Sequence, residues 1–374
     1  MTDAEQRELQ ARFRVARRVS SIQRYVSHNA STTFSGLYLD QAHRGLVYIG
    51  FTRGAANRLR ALRKVFSYTN RLRVFTAAYT LAQLQRLHRR IDQDWSLLRR
   101  DGIDMRTSTV DVPTNRVLVG VSDRVPSGRA ALRRRYGNMV RVIRAHVQRT
   151  SCSQCSGTTR TTVQSPPLDG GLEINDLSAQ CTSGFVTQAA NGAFFLMTAG
   201  HCGHNGSGWA QGFFNSDIGL QGPDVGTMDR NSYYNGSSAD AAVIDMPSYE
   251  ADNAVYRDGG YQQINSIKPF GSDLLGSAVC HSGITSEYEC GTITSTDSTE
   301  QYGSGPVLYH MREAYMYNAP GDSGGPVFMG AGAVGIVSGE TCSSSPCTSN
   351  NVTGTIYSYI VNADNANGVR VYTP

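Results

Sequence analysis

Residues 321–327 read Gly-Asp-Ser-Gly-Gly-Pro-Val and set one hydroxyl, Ser323, among glycines. Glycine lets the backbone pass close to a substrate and turn amide N–H groups toward one point, which suits a nucleophile beside an oxyanion site. A serine attacks only when a base takes its proton, and that base works best when a carboxylate holds it in place. Both partners stand upstream. His201 lies in Thr198-Ala199-Gly200-His201-Cys202 at the end of an apolar run, and Asp240 opens Asp240-Ala241-Ala242-Val243-Ile244. The three together imply acyl transfer, with Ser323 as nucleophile, His201 as base and Asp240 as orienter. Gly321-x-Ser323-x-Gly325 also fits a nucleophile elbow, whose acid and histidine follow the serine in sequence. No His follows His310, so that reading fails. His204 and Asp245 lack the flanking pattern and are read as surface or structural groups.

Positioning such groups takes a folded scaffold, and the chain has the means. Its 374 residues suggest two or three domains, and 40% hydrophobic against 17% charged residues allow a core. No run of eighteen apolar residues occurs, and the start, MTDAEQRELQARFR, lacks the apolar middle of a signal peptide. A transmembrane protein is excluded. Charge divides sharply near residue 165: 30 Lys and Arg stand against 10 Asp and Glu before it, 5 against 20 after it. Glycine divides too, 9 before and 30 after. An Arg-rich first half and a many-turned β region are expected.

Within the first half, AEQRELQARFRVARRV spaces Leu9, Phe13 and Val15 as an amphipathic helix, and Gly36–Asp40 with Gly45–Phe51 reads as a hairpin. NRLRALRKVF and LAQLQRLHRRIDQDW read as helices. Val117–Val121 echoes Val47–Phe51, and a basic helical stretch, GRAALRRRYG into NMVRVIRAHV, follows again, so a duplicated α+β unit is inferred over about 1–100 and 101–149. Residues 150–168 have the Ser, Thr and Pro of an exposed linker. Beyond it, SGFVTQ, AFFLMTA, AAVIDM, GPVLYHM and AVGIVS are short strands of a sandwich or barrels.

The order His201, Asp240, Ser323 and the motifs around them resemble the chymotrypsin-like serine proteases, above all the bacterial secreted branch of alpha-lytic protease and the streptogrisins. The resemblance implies an all-β catalytic domain over 169–374, made of two six-stranded antiparallel barrels, and peptide hydrolysis by a secreted serine endopeptidase. The oxyanion hole would come from the N–H groups of Gly321 and Ser323. Residues 1–149 resemble the pro-regions that assist folding and then inhibit, and Gly170–Ile174 looks like a mature start, placing maturation between about Gln164 and Asp169. The expected partners are a protein or peptide substrate and the chain's own pro-region, with the protein a monomer, no nucleic acid and no membrane. No cofactor or metal motif is visible. A protease-like binder with an unproductive triad is the alternative.

Eight cysteines without a CxxC…CxxC pair favour disulfides outside the cytosol over zinc. By resemblance, Cys181 pairs with Cys202 and Cys280 with Cys290. Cys342 and Cys347 would close a local loop, and Cys152 with Cys155 reads as a local disulfide in the linker. Ser338, Gly339 and Glu340 fall where the family usually has Ser-Gly-Gly beside the primary specificity pocket. Glu340 there either charges the pocket, favouring Arg or Lys before the cut, or points to solvent, the preferred reading, and leaves a large apolar preference. His281 stands where the branch carries an Arg, so it is expected to be the cation beside Asp322.

Overall fold

A computed structural model describes residues 3–122, 125–150, 152, 155, 160, 168–212, 222–236, 238–247, 250–257, 259–269 and 274–374, with backbone alone at 3–13, 17 and 125. The expected maturation cut between Gln164 and Asp169 falls mainly outside them. Two compact units emerge, Met1–Ile143 with Leu274–Ser277, and Arg144–Asp273 with Ala278–Pro374. The first unit ends six residues before the expected boundary at 149, because the strand His146–Arg149 pairs with Gly332–Cys342 of the second.

The first unit starts with the helix Asp3–Asn29, whose Val15, Val19, Ile22 and Val26 recur every three or four residues and are buried together. Phe34–Asp40 and Leu46–Phe51 form the hairpin, and Leu72–Thr76 joins it in parallel after the helix Ala55–Val65. Leu81–Arg100 opens with a Thr80 to Gln83 capping box and buries Leu84, Leu87, Ile91, Trp95 and Leu98. Hairpin, helix and strand then follow again in order, as Met105–Asp111, Arg116–Val121, Val125–Tyr136 and Val140–Arg144. The stretch NMVRVIRAHV is strand rather than helix, since Val140 and Val142 alternate with the exposed Arg141 in the period of two that a half-buried strand requires.

The second unit is built from two antiparallel systems. One is an eight-stranded sheet in the order Val369–Val371, Val186–Ala189, Phe194–Thr198, Ala242–Asp245, Asp224–Asn231, Gly208–Gln211, Glu173–Asn175 and Gln180–Thr182. The other runs Ala278–Gly283, Pro326–Met329, Gly332–Cys342, Val352–Tyr359, Val307–Tyr315 and Glu287–Gln301, and the first of these also pairs with the last, closing a six-stranded ring. The multi-sheet all-β architecture is as expected. The first system, however, borrows a strand from the far end of the chain and is not a set of six. Leu196, Met197, Val243, Ile244, Ile336 and Tyr359 belong to one core, and the consecutive pairs Leu196–Met197 and Val243–Ile244 mark strands covered on both faces.

The helix Ile360–Asn367 carries a buried carboxyl, Asp364. Burial pushes it up to about 7, against a weaker opposing pull from the Val371 N–H and the Arg370 charge. A carboxyl raised in the fold above its unfolded value of roughly 4 holds a proton that the unfolded chain releases, so stability falls as pH rises from about 4 to 7 and is level above. Asp364→Asn should remove that slope, its stabilisation at pH 8 reaching about 4 kcal/mol at most. Thermal melts of both chains at pH 4.5 and pH 8 check this, with the variant showing the smaller drop in Tm.

Candidate active site

His201 sits on the one-turn helix Gly200–Cys202, directly after the strand Phe194–Thr198. Gly200 is required there, since a Cβ would lie 2.5 Å from Asn231 Oδ1 and 3.1 Å from the Ala241 carbonyl oxygen. Cys202 pairs with Cys181 and anchors the turn to the strand Gln180–Thr182. Asp240 lies just before the strand Ala242–Asp245, which pairs with the His201 strand, so adjacent strand ends bring base and carboxylate together. Asp240 Oδ1 accepts from the His201 backbone N–H at 2.8 Å, and Oδ2 meets Nδ1 at 2.6 Å. On the other side of the imidazole, Nε2 is 2.8 Å from Ser323 Oγ.

The Asp240 carboxylate is fully buried and gathers further donors. Ser338 Oγ donates to Oδ2 at 2.6 Å, and Tyr302 Oη stands 2.9 Å from Ser338 Oγ. The Asp240 N–H donates to Ser358 Oγ at 2.8 Å. This network settles the imidazole orientation, because a buried carboxylate bonded to Nδ1 leaves Nε2 directed at the serine. Gly321 and Gly324 flank Ser323 at φ 104° and 86°, a region other residues rarely occupy, and so turn the loop tightly around the hydroxyl.

Something already occupies this cleft. The strand His146–Arg149 pairs antiparallel with Gly332–Cys342, setting Arg149 against Gly339 and Gln148 against Glu340. Thr150 follows. Its carbonyl oxygen accepts from the Gly321 N–H at 2.6 Å, its N–H faces the Ser338 carbonyl at 3.5 Å, and its Oγ1 is 2.8 Å from Ser323 Oγ. The docked segment thus sets a carbonyl oxygen on the Gly321 amide and a hydroxyl on Ser323. Gly339 permits the approach, since a Cβ there would lie 2.4 Å from the Gln148 carbonyl oxygen.

Residues 155–363, just over half of the chain, match the Trypsin family. The chain belongs to the trypsin family. It is 32% identical to streptogrisin-A of Streptomyces griseus over 176 residues, 46% of this chain and 52% of that protein. With glutamyl endopeptidase 2 of Streptomyces griseus it shares 33% over 206 residues, 54% of this chain and 98% of that one. The chain thus spans about half the length of streptogrisin-A and nearly all of the endopeptidase. Among solved structures, that of Nocardiopsis protease (NAPase) aligns with TM-score 0.46 at 29% identity, covering 55% of this chain and 98% of that one.

Other positions in this trypsin-family site depart from expectation. Asp322 is fully buried, but His281 is not its partner: Oδ1 accepts from the N–H groups of Thr285 and Ser286 at 2.8 and 3.1 Å, and Oδ2 from Ala319 at 2.8 Å. Three backbone donors replace the cation, and His281 Nε2 bonds the Tyr317 carbonyl instead. Glu340 does not face solvent. It is 1% exposed, burial pushes its carboxyl up to about 7, and Oε1 accepts from Gln148 Nε2 at 2.5 Å. Glu340, Cys342 and Cys347 lie within ligating reach of one another, yet the two sulfurs are bonded to each other, which removes them as metal ligands. Cys280 pairs with Cys290 and Cys152 with Cys155. His204 stacks on Tyr234, and Asp245 accepts from the Thr227 N–H, both apart from the relay.

Thr150, Gln148, Tyr302 and Ser358 escaped the sequence reading. Only Thr150 had any local signal, at the threshold of the linker, whereas Tyr302 and Ser358 meet the relay through pairings distant in sequence. If Gly339 is glycine because of the close approach of the Gln148 carbonyl, Gly339→Ala should speed amide exchange at 147–150 by tenfold or more. Hydrogen exchange read by mass spectrometry checks this, with exchange at 333–337 as the internal control for intact folding.

Proposed function

We propose that the chain is a secreted serine endopeptidase made as a precursor, in which residues 1–149 assist folding and inhibit until removed. The observation that carries this reading is the continuous relay from Asp240 through His201 to Ser323, whose hydroxyl meets Thr150 Oγ1 while the Gly321 N–H holds the Thr150 carbonyl. As Ser323 Oγ attacks the carbonyl carbon, its proton passes to His201 Nε2, while Asp240 stabilises the imidazolium. The N–H groups of Gly321 and Ser323 hold the oxyanion. Collapse breaks the C–N bond, the proton on Nε2 goes to the leaving amine, and water then hydrolyses the acyl ester by the same exchange in reverse.

The position of Thr150 makes Thr150–Ser151 the bond the enzyme cuts in itself. Residues 146–150 then inhibit as a strand lying in the substrate groove, each residue bonded as a peptide substrate would be. The two hairpin, helix and strand series of the first unit fit a duplicated pro-region. Protein or peptide substrates enter along Ser338, Gly339 and Glu340. The relative named glutamyl endopeptidase does not set the preference here, because the residue held before the bond is a threonine.

Treating the refolded chain with a fluorophosphonate should give a single adduct on Ser323, and sequencing the cut chain should give a new start at Ser151. Ser323→Ala should stay uncut and unlabelled, and His201→Ala should lower kcat/KM by about 10⁶-fold. A new start between residues 165 and 169 would overturn the Thr150 assignment while leaving the peptidase reading intact. Absence of both label and cleavage, also after residues 1–149 are removed by an added protease, would overturn the activity itself.

A further inference from the structure

The mechanism accounts for the backbone of the docked strand but not for one side-chain contact on it. Gln148, third residue before Thr150–Ser151 counting from Thr150, donates its Nε2 to Glu340 Oε1 at 2.5 Å. Glu340 is directly opposite in the strand register, so the contact follows from the pairing and does not depend on a loop. The carboxyl is buried, and its second oxygen has no hydrogen-bond partner among the described residues. Among the described residues no cation neutralises it either: across the sheet it meets Thr355, beside it lies the Cys342–Cys347 disulfide, and Asp322 acts on it as a like charge. A buried carboxyl with a single partner depends heavily on that partner.

We propose that Glu340 selects the third residue before the cut, taking a side-chain amide, glutamine first, whose NH₂ group donates to its carboxyl. This rests on the peptidase reading and adds to it the position two residues before the one at the bond. An apolar side chain leaves the carboxyl without its donor. An acidic one brings a second carboxyl against a buried first, and it is rejected more strongly. A shorter amide, asparagine, falls between. The chain's own Gln148 is thus a matched residue, and the same recognition holds the inhibitory strand in place and sorts substrates.

The test uses the full chain after self-processing and peptides that keep Val-x-Arg-Thr before the cut, where x is Gln, Asn, Ala or Glu. Gln should exceed Ala by roughly tenfold in kcat/KM, the effect of one buried hydrogen bond, with Glu lowest. Glu340→Leu should bring Gln and Ala within twofold, while Glu340→Gln, which keeps an acceptor and the shape, should keep Gln above Ala and relieve the discrimination against Glu. An unchanged preference in Glu340→Leu would overturn the assignment. If no peptide is turned over, the peptidase reading has failed, and the Glu340 assignment is still decided in the uncut Ser323→Ala chain. There, Gln148→Ala and Glu340→Leu should each speed amide exchange at 147–150, with the double variant no faster than either alone. Independent, multiplying effects would overturn it.

Discussion

A carboxyl sealed away from water governs the second unit. Asp240 has no solvent exposure, and a carboxyl left without hydrogen-bond partners in such a place would destabilise the fold around it. It is retained because donors reach it from several directions: the His201 amide and ring, and the Ser338 hydroxyl, with Tyr302 behind. Those donors come from different segments, so the first sheet and the closed ring must both be formed before the carboxyl is satisfied. The relay and the fold are one constraint, and disturbing Ser338 or Tyr302 disturbs the imidazole without touching it.

Asp322 solves the same problem with other means. Its neighbours in the loop before Ser323 and in the turn after Gly283 supply amides alone, and no ionised partner is needed. Backbone donors are fixed by the chain itself, so this carboxyl is held without help from a second side chain. Glu340 and Asp364 are treated differently, each buried with too few donors to hold a full charge and each therefore raised toward neutrality. Carboxyls in one domain thus carry opposite instructions, set by how many N–H groups point at them.

What was legible in the sequence was local. The heptad around Ser323, the turn around His201 and the strand after Asp240 each carry their own signature, as do the helices of the first unit, whose apolar residues recur at short intervals. What escaped depended on distance. Ser358 meets Asp240, and Gln180 holds Cys152 and Cys155, through contacts that no period or spacing announces. Glu340 was visible as a departure, but its burial became evident only with a strand laid across it. NMVRVIRAHV was misread because its arginines suit a helix face equally well until Val140 and Val142 are counted in twos.

The pairing of Val369–Val371 with Val186–Ala189 has a consequence in time. The sheet takes this edge strand from a segment remote in sequence, so it is incomplete until Val369–Val371 has been synthesised, and the entropy of joining such remote segments must be met before their contacts contribute anything. During that interval the edge at Val186–Ala189 stays open, and its unpaired N–H and C=O groups offer a template for the wrong strand. The topology makes folding slow and exposes the nascent sheet to aggregation, independent of how stable the finished domain is.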